Sequence, residues 1–227
     1  MGTSKGYIAP TRIEWTHAKR AVTEMIKHTN PGAIANAASK YASAMKADGF
    51  QGSTFPKAAS GILGLARSIV YNGLENTLRD IGREDLIGKS SDEIWNELLH
   101  YYTNESATKE DSLAIDALSL SLKNLDIDDI DKLGDIPQDT LLKEMLINFV
   151  ELNFEFRFSE KIGKDRTPAD TNKIVGDMKG YIRSSLYEKL SFQDIVSIDF
   201  GHLSGDQYVV EALTDAYTLF EKLYEEE

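Results

Sequence analysis

The sequence predicts an all-α protein, an irregular multi-helix bundle behind a short flexible N-terminal tail. Apolar residues recur at three- and four-residue steps through most of the 227-residue chain, the period of a helix face. Glycines, prolines and capping residues divide this pattern into roughly nine segments. A strand is a live alternative only around Phe154, Phe156 and Phe158, which alternate with charged residues. The expected organisation is a tail over residues 1–10 and a helical domain over 11–227, with a sub-boundary near 126–137.

Taken in order, the tail MGTSKGYIAP is small and polar and has no period. Thr11 can cap a helix to about Thr29, with Trp15, Ala18, Val22, Met25 and Ile26 on one face. Asn30-Pro31-Gly32 stops it, and Pro31 suits the first turn of an alanine-rich helix ending near Gly49. The stretch 56–82 predicts the central helix, its stripe formed by Ala58, Ile62, Leu65, Ile69 and Leu78. Leu63, Val70 and Leu74 widen that stripe, so its first half should be surrounded by protein. Gly61 and Gly64 each cost about 1 kcal/mol of helix stability relative to Ala, which makes sense where another helix packs close.

Ser90 or Ser91 caps the next helix, through Ile94, Trp95, Leu98, Leu99 and Tyr102, and residues 109–125 repeat the pattern. An acidic connector, DIDDIDKLGDIPQD, leads to a helix from about Gln138 to Phe158. Residues 169–190 and 206–224 predict two further helices, with an irregular segment between. The last helix turns Val209, Leu213, Ala216, Phe220 and Leu223 inward.

Composition narrows the chemistry. With no cysteine there can be no disulfide, thiolate nucleophile or Cys-based metal centre, which fits a reducing cytosol. No run approaches the ~18–20 apolar residues that span a bilayer, and the N-terminal stretch lacks a signal-peptide core. The expected location is therefore the cytoplasm, away from membranes. A net charge of −12 argues against a general nucleic-acid coat. Charge is unevenly spread, however: residues 1–80 hold ten Lys and Arg against five Asp and Glu, the remainder fifteen against thirty-two.

Several stretches imitate catalytic motifs without completing them. Gly82–Ser90 resembles a phosphate-binding loop, yet has five residues between its glycines where four are needed, and follows a helix. Glu14/His17 and Glu97/His100 have the spacing of helical di-iron ligands but point away from the predicted apolar faces. The run from Asp129 begins like a calcium loop, then places Leu133 and Thr140 where oxygen ligands belong. Asp199-Phe200-Gly201 spells a kinase magnesium motif without the accompanying kinase elements. The expectation is no catalytic residue, no metal and no cofactor.

Two parts of the chain resemble the B component of the bacterial Qat anti-phage defence system. One is the opening MGTSKGY. The other is the span from Leu78 to Leu125, where LRDIGREDLIGKSSDEIWNELLHYY is followed by SATKEDSLAIDALSLSLKNL. The stretch FRFSEKIGKDRTPADTNKIVGDMKGYIRSSL is similar in a more diffuse way. This resemblance implies a non-enzymatic partner protein, encoded beside an ATPase, a QueC-like enzyme and a TatD-like nuclease. Enzymes of the QueC type build a deazaguanine nitrile with ATP and an amine, and the resemblance implies a related enzyme that attaches such a base to a protein N-terminus. Gly2 would then offer the amine to be modified. Thr3, Ser4, Lys5, Gly6 and Tyr7 would thread into the QueC-like active site while the helical body docks outside. A competing expectation is a nucleic-acid-sensing module using Lys19, Arg20, Lys27, Lys40 and Lys46. A helical-bundle metal enzyme dependent on His17 and His100 is a third.

Overall fold

A computed structural model describes residues 11–50, 53–103, 108–200 and 203–223. Among these residues there are nine α-helices and no strand, so the chain is all-α. None of these helices is long and apolar enough to cross a membrane. The chain forms two compact units, each assembled from separated stretches. The described residues of the first are 53–103, 108–149, 191–200 and 203–210; those of the second are 11–50, 150–190 and 211–223. Residues 126–137 lie inside the first unit.

The first unit is built on α3 (Thr54–Asn72), which packs against α4 (Leu74–Asp80), α5 (Ser91–Tyr102), α6 (Lys109–Asn124) and the 3-10 segment Ile130–Asp135. Its stripe is buried as its period requires, through Ala58, Ile62, Leu63, Leu65 and Ile69. Val70, by contrast, is exposed. The helix expected over 56–82 is broken at Gly73, whose φ of +75° is open to glycine but strained for a residue with a side chain. Its N–H closes the preceding helix on the Ile69 carbonyl at 2.9 Å. Phe55 stacks on Phe149 with ring centroids 3.9 Å apart. Ser90 begins α5 with a reciprocal capping box to Glu93, and Thr108 begins α6 in the same way with Asp111. Asn148, fully buried, donates to Ser121 Oγ at 2.8 Å, satisfying a polar group that burial would otherwise penalise.

In the second unit α1 (Ile13–Lys27) and α2 (Pro31–Asp48) form a helical hairpin, and α2 also packs against α8 (Pro168–Lys189). Asn30 caps α2 through Ala33 N–H, with Pro31 in the first turn as expected. The N-cap of α1 is Arg12 rather than Thr11, and no side chain caps it. Residues 150–163 of α7 (Gln138–Gly163) and 211–223 of α9 (Leu203–Leu223) complete the unit. Phe154 and Phe158 are helical, and the strand alternative fails because four-residue spacing puts both rings on one buried face. They meet the edge of Tyr41 at 5.5 and 6.0 Å, and Tyr217 meets it at 5.7 Å. The Tyr41 hydroxyl donates to the Val150 carbonyl at 3.2 Å and lies 3.1 Å from the Tyr217 hydroxyl. Burial raises both phenols well above their ordinary range, so they remain neutral hydrogen-bonding groups.

Candidate functional site

One side of α3 lines an open groove of about 860 Å³ within the first unit. Lys57, Gly61, Gly64, Ser68 and Tyr71 follow one another at three- and four-residue steps and so share a face. The two glycines permit the groove walls to approach. A Cβ on Gly61 would stand 2.4 Å from ring carbons of Tyr102 on α5, and one on Gly64 would stand 3.2 Å from the Phe200 carbonyl oxygen. The close neighbour foreseen at these glycines is therefore a helix at Gly61, but loop backbone at Gly64.

Arg67 fixes the loop that forms this wall. One guanidinium nitrogen donates to the Ile198 carbonyl; another donates to the Ile195 carbonyl at 3.1 Å and to Gln138 Oε1 at 2.5 Å. Gln138 in turn donates to the Leu63 carbonyl at 3.2 Å, tying the start of α7 to α3. The guanidinium also lies 5.3 Å from the Phe200 ring centroid, within cation–π reach. This planar fork serves several acceptors at once, which an ammonium group could not reproduce.

The opposite wall is aromatic. Tyr101 and Tyr102 meet edge to face at 5.1 Å. Burial, with a further contribution from Tyr101, pushes the Tyr102 hydroxyl up to about 12, leaving it protonated at neutral pH. Asp80, Asp199 and Asp206 add carboxylates, and among the described residues no His, Cys or Glu lines the groove. Rings, hydroxyls and carboxylates are groups that can stack on, hydrogen-bond to and pair with a ligand.

The residues singled out from sequence are placed elsewhere. Gly2, Thr3, Ser4, Lys5, Gly6 and Tyr7 lie outside the described residues. Lys19 and Arg20 are exposed on α1, whereas Lys27 pairs with Glu24 at 2.9 Å and Lys46 with Glu221 at 2.5 Å; Lys40 is half-buried. His17 and His100 are exposed, and Glu97 accepts from Arg83 at 3.0 Å. Among the described residues no three His, Asp or Glu side chains gather as a metal site. Gly82 and Gly88, both at positive φ, and the Ser90 cap make the phosphate-loop look-alike a helix end, a turn and a helix start. Asp129 spends its carboxylate on Asp131 N–H and Ser91 Oγ. The groove itself had no sequence signature: its face of α3 alternates small, polar and aromatic residues, and part of its lining, Asp199, Phe200, Leu203 and Asp206, comes from more than a hundred positions away.

Charge also follows the units more closely than the chain. The described residues of the first hold nine Lys and Arg against twenty Asp and Glu; those of the second hold fifteen against thirteen.

Fold and groove define a helical protein with an open cleft. Comparison with known families then gives its place: the model of the Qat anti-phage system associated protein QatB matches residues 43–220, and the chain belongs to that family. The matched span takes in every residue lining the groove and begins after the tail. No curated protein and no solved structure matches the chain.

Proposed function

We propose that this protein is a non-enzymatic component of the Qat anti-phage complex that binds a QueC-like enzyme of the same operon and serves as its N-terminal modification substrate. Membership of the QatB family over residues 43–220 carries the reading, because it places the protein among the associated components of a defence system. The small residues after Gly2, Thr3 and Ser4, suit entry of this segment into another protein's active site. In this reading the helical body docks outside that site, and Thr3, Ser4, Lys5, Gly6 and Tyr7 thread into it. The ATPase and TatD-like nuclease are further partners, and the complex works in the bacterial cytoplasm. The nucleic-acid reading is weaker, since Lys27 and Lys46 already have carboxylate partners.

Intact-mass measurement of the full chain, expressed alone and with the QueC-like enzyme, tests the proposal. The expected result is a mass increase that maps to Gly2 and disappears when Gly2 is deleted. An unchanged mass beside a demonstrably active enzyme refutes the substrate role, and failure of the two proteins to co-purify refutes the docking role.

A further inference from the structure

The α3 groove joins exposed apolar surface to negative charge. Tyr71 is 78% exposed, Leu203 85% and Tyr101 51%, and all three line it. Single exposed apolar side chains are ordinary on a protein surface; three around one cleft mark a surface that binds something. The carboxylates of Asp80 and Asp206 share the groove. Asp80 accepts only a long 3.4 Å hydrogen bond from Asn72, and Asp206 is half-buried in the first turn of α9. On the positive side, Arg67 is turned into the wall with its nitrogens on carbonyl and amide oxygens, which leaves Lys57 as the exposed cation among the described lining residues.

The same unit already displays the recognition chemistry in miniature. The Arg83 guanidinium lies 6.0 Å from the Tyr101 ring centroid while Asp85 and Glu97 hold it at 2.9 and 3.0 Å. A tyrosine face flanked by carboxylates thus seats a guanidinium on this surface. The described residues of the first unit carry twenty acidic side chains against nine basic ones, a balance that would draw cations toward the unit and repel polyphosphate. The volume lies within the ~300–1,000 Å³ range of ligand sites, but the groove is open along α3 and suits a length of chain better than an enclosed small molecule.

We propose that this groove seats a basic segment of a partner protein, with Lys or Arg side chains against Tyr71 and paired with Asp80 and Asp206. Occupancy of this groove requires no modification chemistry.

Fluorescence anisotropy of the full chain with a labelled Gly-Arg-Leu repeat peptide, and with its Glu-for-Arg counterpart, tests this directly. The Arg peptide should bind, lose affinity with added salt, and weaken about fivefold or more in Tyr71→Ala and again in Asp206→Asn. Asp116→Asn, on the exposed side of α6 in the same unit, should leave affinity within about twofold, since it removes a charge away from the groove. Circular dichroism and melting of each variant confirm that the fold is retained. Absence of binding, equal binding of the Glu peptide, or equal weakening by Asp116→Asn overturns the proposal. So does a dimer in sedimentation that Tyr71→Ala abolishes, which would make a second copy the occupant.

Discussion

Replacing Arg67 by Met isolates what its guanidinium does, because the thioether chain keeps much of the stem's packing while removing every donor. The substitution strips hydrogen bonds from the Ile195 and Ile198 carbonyls and from Gln138, together with the interaction over Phe200. An acceptor left without its donor costs about 1–3 kcal/mol when buried. Arg67 is half-buried and water can replace part of what is lost, so a total near 3 kcal/mol is expected. That loss should fall on the loop rather than on the whole unit. Hydrogen exchange reads it at two amides, Ser197 N–H on the Asp194 carbonyl at 2.8 Å and Ile198 N–H on the Ile195 carbonyl at 3.3 Å. Where local opening governs exchange, ~3 kcal/mol corresponds to acceleration on the order of a hundredfold. Arg67→Lys should recover less than half of the protection, since one ammonium cannot reach the same acceptors. Unchanged exchange across residues 191–200 in Arg67→Met would refute the clamp.

Two further outcomes follow from local geometry. Gly205→Ala should destabilise by about 1–2 kcal/mol despite the better helix propensity of Ala, because its Cβ would lie 2.5 Å from Ser60 Oγ and 2.7 Å from the Phe200 Cα. Gly176→Ala on α8, with nothing within 4 Å, should instead stabilise by about 1 kcal/mol, and urea unfolding of the two variants checks the opposite signs. At Glu221, burial favours the neutral acid, but hydrogen bonds from Lys46 and Ser43 and the Lys46 charge outweigh it, leaving the carboxyl below its ordinary range. A depressed folded pKa gives stability that is present above the ordinary value of 4.5 and lost as pH falls through the folded one. Glu221→Gln should therefore flatten the acid limb of the stability curve below about pH 4.5, and an unchanged limb would show the pair to be without effect.

The helices were legible wherever a stripe had to be buried. Trp15, Ala18, Val22 and Met25 are buried on α1 as their spacing requires, and Val209, Leu213, Ala216 and Phe220 are buried on α9. The break at Gly73 was harder to read because the apolar period continues through Leu74 to Leu78, while the interruption resides in one backbone torsion. Arg67 was equally opaque. A lone arginine beside an apolar stripe reads as a solvated residue, and its acceptors are carbonyls of an irregular segment whose position depends on tertiary packing. Gly2 was singled out through the family resemblance of the opening MGTSKGY, and it lies outside the described residues. The groove residues acquire meaning only after α3, α5 and the 191–200 loop have been brought together.

The interleaved course of the chain has a consequence for genetics. α7 and α9 each supply residues to both compact units. Ending the chain at residue 190 would take from the first unit the Ile195 and Ile198 carbonyls that Arg67 holds, and from the second Tyr217 and Glu221. A deletion series would thus make unrelated activities appear to share one C-terminal determinant. Removing residues 1–50 would withdraw α1 and α2 and expose Tyr217 and Phe158 in the unit left behind. Roles can be separated by single substitutions that leave both units whole, and a phenotype mapped by truncation would report folding before it reported function.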